Sequence, residues 1–170
     1  NLVGITTTWT FEVAFANDAS ANNNFQIFLA ANDSNLFSAS VDGYAVVIDQ
    51  SSLPSAGTAD YIRLYRVTDG AYASTPIINS STDWIDHVNG GSRVGIQVIL
   101  DETGTWSLSV DNNGGFNNLT SLGTGTDASG GAITFPIAKF FGVRFKYLAA
   151  ASDLFRLDDV TVQQSGCKRL

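Results

Sequence analysis

The sequence predicts an all-β protein, an antiparallel β-sandwich, and three observations predict it. Apolar and polar residues alternate with a period of two along most of the chain. The alternating runs recur roughly every 10–20 residues, with Gly, Asn and Asp clusters between them. No stretch carries a helical period bounded by caps.

Taken in order, Trp9, Phe11, Val13 and Phe15 share one face of a first strand. The polar stretch from Asn17-Asp18 to Asn24 ends it, and Phe25, Ile27 and Leu29 begin a second. Tyr44, Val46 and Ile48 follow the turn signal Asp42-Gly43, and Ile62 and Leu64 follow in turn, stopped by Asp69-Gly70. Val94, Ile96, Val98 and Leu100, the turn Asp101-Glu102-Thr103-Gly104, then Trp106, Leu108 and Val110 form the clearest hairpin. Residues 112–134 are rich in Gly, Asn, Ser and Thr and read as a long loop or a weak edge strand. Phe141, Val143, Phe145 and Tyr147 make the penultimate strand. Trp9 and Trp106 fall on core phases and are expected to be structural.

The closing strand, LFRLDDVTV, contains a change of phase. Phe155 and Leu157 share a face, whereas Val160 and Val162 lie an odd number of residues away. One extra residue at Asp158-Asp159 restores the phase, which is the signature of a β-bulge; a strand covered on both faces is the alternative.

At 170 residues the chain is long enough for one domain with a full core, expected over 1–163, with 164–170 as a tail or linker. Sixteen acids against nine bases leave a net charge of −7, which argues against nucleic-acid or anionic-membrane binding. No apolar run approaches the ~20 residues of a membrane span. The single Cys167 excludes an internal disulfide and a multi-cysteine metal site. A charged fraction of only 15%, with Asn, Ser, Thr and Gly in place of Lys and Glu, fits a secreted or cell-surface protein. Asn1 stands close to the first strand, as in a processed or excised fragment.

The hairpin RVGIQVILDETGTWSLSVD (93–111) resembles that of laminin G-like and concanavalin A-like jelly rolls. The ending FFGVRFKYLAAASDLFRLDDVTV resembles the closing strands of jelly-roll modules in large secreted bacterial proteins, and its F-x-x-D-D-V run resembles that of several carbohydrate-binding modules. The resemblance covers the chain in order and length. It implies an antiparallel β-sandwich of jelly-roll (concanavalin A-like) type and leaves the ligand open, because this fold hosts lectins, glycanases, adhesion modules and spacers.

Catalysis of the glycanase type needs two carboxyls ~5–5.5 Å apart in a retaining enzyme. The only glutamates are Glu12, on the outward phase of its strand, and Glu102, in a turn. His87 is the only histidine, and no G-x-S-x-G elbow surrounds a serine. The chain therefore reads as non-catalytic.

Calcium is the metal expectation, because a hard cation takes several carboxylate and carbonyl oxygens. Asp153, Asp158 and Asp159 cluster near the end of the chain, and Asp18 joins them if the terminal strands are neighbours. The resemblance makes Asp158 or Asp159 the ligand. The alternative is that these carboxylates accept backbone N–H groups or pair with Arg156 or Lys146.

For a polysaccharide or glycan partner, aromatic faces beside amides and charges are needed. Tyr61, Arg63 and Tyr65 occupy the phase opposite Ile62 and Leu64, so a Tyr-Arg-Tyr stripe is expected to face outward, with Arg144 and Lys146 also on outward phases. Trp84 and Asp86 in the 81–87 stretch form a second candidate, with Trp84 alternatively a plug beneath the loop. The alternative for the stripe is ordinary cross-strand pairing on a solvated sheet. The functional expectation is thus a non-catalytic, monomeric, lectin-like module of a larger secreted or surface protein, with a structural or adhesive spacer as the other reading.

Overall fold

The computed structural model describes residues 4–15, 23–48, 60–88, 93–128, 139–147 and 155–166. They form eleven strands and one helical turn: β1 (Thr6–Phe15), β2 (Asn24–Ala31), β3 (Gly43–Ile48), β4 (Tyr61–Thr68), β5 (Ala71–Tyr72), β6 (Ile78–Asp83), α1 (Trp84–Val88), β7 (Val94–Leu100), β8 (Thr105–Asp111), β9 (Thr120–Thr126), β10 (Phe140–Lys146) and β11 (Phe155–Ser165). The first sheet has the order β11-β1-β7-β8-β9, and the second β10-β2-β3-β4-β5 with β6 also paired to β4. Every pairing is antiparallel, and the two sheets pack face to face as a jelly-roll-type sandwich.

The inward-facing residues follow the alternation. Trp9, Phe11, Val13 and Phe15 of the first sheet meet Phe25, Ile27, Tyr44, Val46, Ile62 and Leu64 of the second in one buried cluster. Aromatic rings fix how the sheets lie against each other. Trp9 stacks on Trp106 at 5.8 Å, and Phe145 on Phe155 at 4.3 Å. The hairpin of β7 and β8 forms in the expected register, Leu100 opposite Trp106. Residues 120–126 form the edge strand β9, the second of the two readings of that Gly-rich stretch.

The bulge in the last strand is present. Thr10 pairs with Thr161, whereas Glu12 pairs with Asp158, so two steps along β1 face three along β11. Asp159 absorbs the extra residue with a φ of 49°. Phe155 and Leu157 therefore stand opposite Phe15 and Val13, and Val162 opposite Trp9, all on the inward phase. β11 runs to Ser165, two residues into the stretch expected to be tail, with Gln164 and Ser165 paired to Thr7 and Thr6.

The outward face of the second sheet has its own cover. The chain between β2 and β3 folds back as a flap whose neck is clasped by Asn32 and Asp42: the Asn32 N–H donates to the Asp42 carbonyl at 3.0 Å, and the Asp42 N–H to Asn32 Oδ1 at 2.8 Å. The N–H of Asp69 donates to Asp42 Oδ1 and that of Gly70 to the Val41 carbonyl, tying the flap to the β4–β5 turn. Leu36 and Val41 of the flap join Phe28, Ala45, Val47, Tyr65 and Val67 in a second apolar cluster.

Candidate functional site

The register places the expected ligand residues on a common face. Across the outward side of the second sheet one row reads Arg144, Gln26, Val47, Arg63, Asn79, with Lys146 beside Asn24 in the next row and Tyr65 beside Ala45 on the other side. Tyr61, Arg63, Tyr65, Arg144 and Lys146 are thus brought together as their phases required. Trp84 and Asp86 are not. They lie on α1 after β6, at the edge opposite β10.

The expected exposure of the Tyr-Arg-Tyr stripe is corrected. Arg63 is 1% exposed and Tyr65 0%. Tyr65 belongs to the second apolar cluster and meets Tyr72 edge-on at 5.5 Å. Arg63 donates from Nε to Asn79 Oδ1 at 2.7 Å and lies over the Tyr61 ring at 5.1 Å. These are packed, internally partnered groups. Trp84 is likewise fully buried, with its ring edge-on to Phe25 and its indole N–H donating to the Phe15 carbonyl at 3.0 Å, which is the plug reading. Asp86 is exposed.

At the β10 edge an aromatic ring and a cation reach the surface together. Phe37, at the tip of the flap, is 73% exposed. The Arg144 guanidinium sits over its ring at 4.7 Å and 6.0 Å from the Phe28 ring, the distances of cation–π contacts. Lys146 is exposed two residues further along the same face. The tip is held by two side-chain turns, the N–H of Asn35 donating to Asp33 Oδ1 and that of Phe37 to Asn35 Oδ1. Leu36 is buried and packs where Gly142 has no side chain, since a β-carbon there would stand 2.8 Å from Leu36 Cδ1. Burying Leu36 turns its neighbour Phe37 outward. The signal was an adjacent apolar pair inside a polar turn, of which only one member can point inward.

The carboxylates expected to bind calcium divide. Asp18 and Asp153 lie outside the described residues. Asp158 accepts from Arg93 Nη1 at 3.1 Å and from the Asp159 N–H at 3.0 Å, and Arg93 also donates to Glu12 at 3.2 Å. The hydrogen bond to Glu12, and then the charge of Asp158, hold the Arg93 guanidinium above its ordinary pKa. Asp158 thus has a partner, Arg93 rather than Arg156 or Lys146. Among the described residues no group of three or more His, Cys, Asp or Glu side chains is placed to hold a metal ion.

Glu12 keeps its outward phase but is only 7% exposed. The turn after β8 folds over it, and the Gly115 N–H donates to its Oε1 at 2.5 Å. That approach requires Gly95, where a β-carbon would collide with the Gly115 carbonyl. Glu102 is exposed in its turn, and His87 is buried with Nδ1 against Asn112 Oδ1 at 2.9 Å.

No protein-family model, curated protein or solved structure matches this chain.

Among the described residues no helix is long and apolar enough to cross a membrane.

Proposed function

We propose that this chain is a non-catalytic, glycan-binding module of a larger secreted or cell-surface protein, and that its ligand surface is the platform of Phe37, Arg144 and Lys146. The observation that carries this reading is the 73% exposed Phe37 ring with the Arg144 guanidinium 4.7 Å from its centroid. An exposed aromatic on a loop clasped at its neck costs little ordering when a ligand arrives. Its apolar face suits the C–H side of a sugar ring, while the Arg144 guanidinium beside it, and the Lys146 ammonium two residues further along β10, suit hydroxyl or acidic substituents. In a protein of net charge −7, a cation over an exposed ring, with a second cation two residues further along the same strand face, is a local positive feature.

The test is a glycan-array screen of the domain, run with calcium and again with chelator, on wild type, Phe37→Ala and Arg144→Ala. The reading expects a restricted set of hits that both variants lose while remaining folded. Hits that survive both substitutions would remove the platform from the proposal. Hits that vanish with chelator would add calcium to it.

The spacer reading is favoured by a separate observation. The outward side of the first sheet carries two uncharged ranks, Thr161, Thr10, Gln97, Ser109, Ser121 and Gln163, Thr8, Ile99, Ser107, Thr124. Such a surface is soluble and offers no charged or aromatic anchor. A blank array from a folded domain would favour this reading.

A further inference from the structure

Arg66 lies on the inward phase of β4, after Ile62 and Leu64, where an apolar residue is expected. It pairs across the sheet with Tyr44 and meets Asp127, just past β9, at 3.3 Å, the two side chains being 15% and 7% exposed. Burying an ion pair is not in itself stabilising, so its position calls for another reason. The pair stands in the wall of a half-open pocket of about 330 Å³, with Ser74, Pro76, Ile77 and Thr126.

We propose that this pocket is a second binding site, separate from the Phe37 platform, and that it takes one neutral sugar ring. Its polar groups are fixed before any ligand arrives. Asp127 Oδ2 accepts from the Tyr44 hydroxyl at 2.9 Å as well as from Arg66, and Arg66 Nε donates to Thr68 Oγ1 at 3.2 Å. The wall formed by 73–77 is pinned to β4, the Ala73 N–H donating to the Arg66 carbonyl at 2.9 Å and the Ile77 N–H to the Leu64 carbonyl at 2.7 Å.

The chemistry of the ligand follows from this wall. The guanidinium and carboxylate compensate each other, so an added anion meets Asp127 and an added cation meets Arg66. Hydroxyl groups both donate and accept, so neighbouring hydroxyls match a carboxylate beside a guanidinium. Pro76 and Ile77 offer an apolar surface to the C–H side of the ring. The volume lies at the lower end of the usual range for small-molecule pockets, which suits one ring rather than a run of them. The site lies by β4 and β9, whereas Phe37 lies over β10, at the opposite edge of the second sheet.

The experiment is an amide NMR titration of the domain with methyl glycosides of neutral hexoses, and with methyl glucuronide as the charged control. At least one neutral glycoside is expected to shift resonances of 73–77 and 126–128, with methyl glucuronide at least tenfold weaker. Asp127→Asn should weaken the effect at least tenfold. Ser74→Trp fills the mouth while leaving the ion pair intact, and should abolish the effect with an unchanged melting temperature. Phe37→Ala should leave it unaltered, so this site and the platform stand or fall separately. Absence of shifts with every neutral glycoside, equal or tighter binding of the glucuronide, survival of the effect in Ser74→Trp, or its loss in Phe37→Ala would overturn the proposal.

Discussion

The carbonyl oxygen of Ile77 crosses Gly125 so closely that a β-carbon at Gly125 would stand 2.1 Å from it. Ile77 leads into β6, which pairs with β4 of the second sheet, and Gly125 belongs to β9, the edge of the first. The crossing therefore brings the two sheets together at one side, and its absence of a side chain is what lets the backbones meet. Gly125→Ala forces one of them to move. Overpacking of this kind costs about 1–3 kcal/mol, a fall in melting temperature of roughly 2–12 °C for a chain of this size. Thermal unfolding by circular dichroism reads it. An unchanged midpoint would mean that the crossing is slack.

Tyr65 and Phe37 are expected to exchange the roles that an outward-facing stripe would give them. Tyr65→Ala removes a fully buried ring between the flap and the sheet and should cost about 3–5 kcal/mol in urea unfolding, by analogy with large-to-small core changes. Phe37→Ala removes an exposed ring and should stay within about 0.5 kcal/mol of wild type. If Tyr65→Ala were instead well folded and as stable as wild type, the flap would not be a cover.

These two residues also mark where the sequence is legible. Parity alone places Tyr61, Arg63, Tyr65, Arg144 and Lys146 on one face, because a strand leaves a side chain only two directions. Parity also predicts the bulge at Asp158-Asp159. It does not say whether that face meets water. The cover is supplied by Leu36 and Val41, in a loop with no period to read, and its clasp depends on Asn32 and Asp42 meeting across ten residues. Arg66 was open to detection. A cation that continues the inward phase of Ile62 and Leu64 demands a buried acceptor, but its partner Asp127 is sixty-one residues away in a Gly-rich stretch with weak pattern.

Asp159 tests the bulge in isolation. Its φ of 49° is a conformation that Asp tolerates and a β-branched residue does not. Asp159→Val should destabilise by about 1–2 kcal/mol, the scale of the steric cost in that region. Asp159→Gly relieves that steric conflict and should be near neutral or slightly stabilising. Urea midpoints for the two variants should straddle or bracket wild type in that order. The reverse order would mean that the extra residue is accommodated elsewhere in the strand.

Acid should weaken the domain through two turn aspartates. The Asn118 N–H, then the Asn113 N–H, at 2.8 and 3.1 Å, hold the Asp111 carboxyl below its ordinary value of 3.8. The Thr103 hydroxyl at 2.6 Å, then the Thr105 N–H at 2.9 Å, do the same for Asp101. A carboxyl with a lowered pKa stays ionised in the fold where the unfolded chain has begun to take up a proton. Its stabilising contribution is complete above the unfolded value and is lost as pH falls from there through the folded value. Urea midpoints should therefore be flat with respect to these groups near pH 6 and should fall below about pH 4. Asp111→Asn should be less stable at pH 6 and should show a shallower acid slope than wild type, because one of the two contributions is gone. Parallel slopes for variant and wild type would show that the Asn113 and Asn118 N–H groups do not favour the ionised carboxylate.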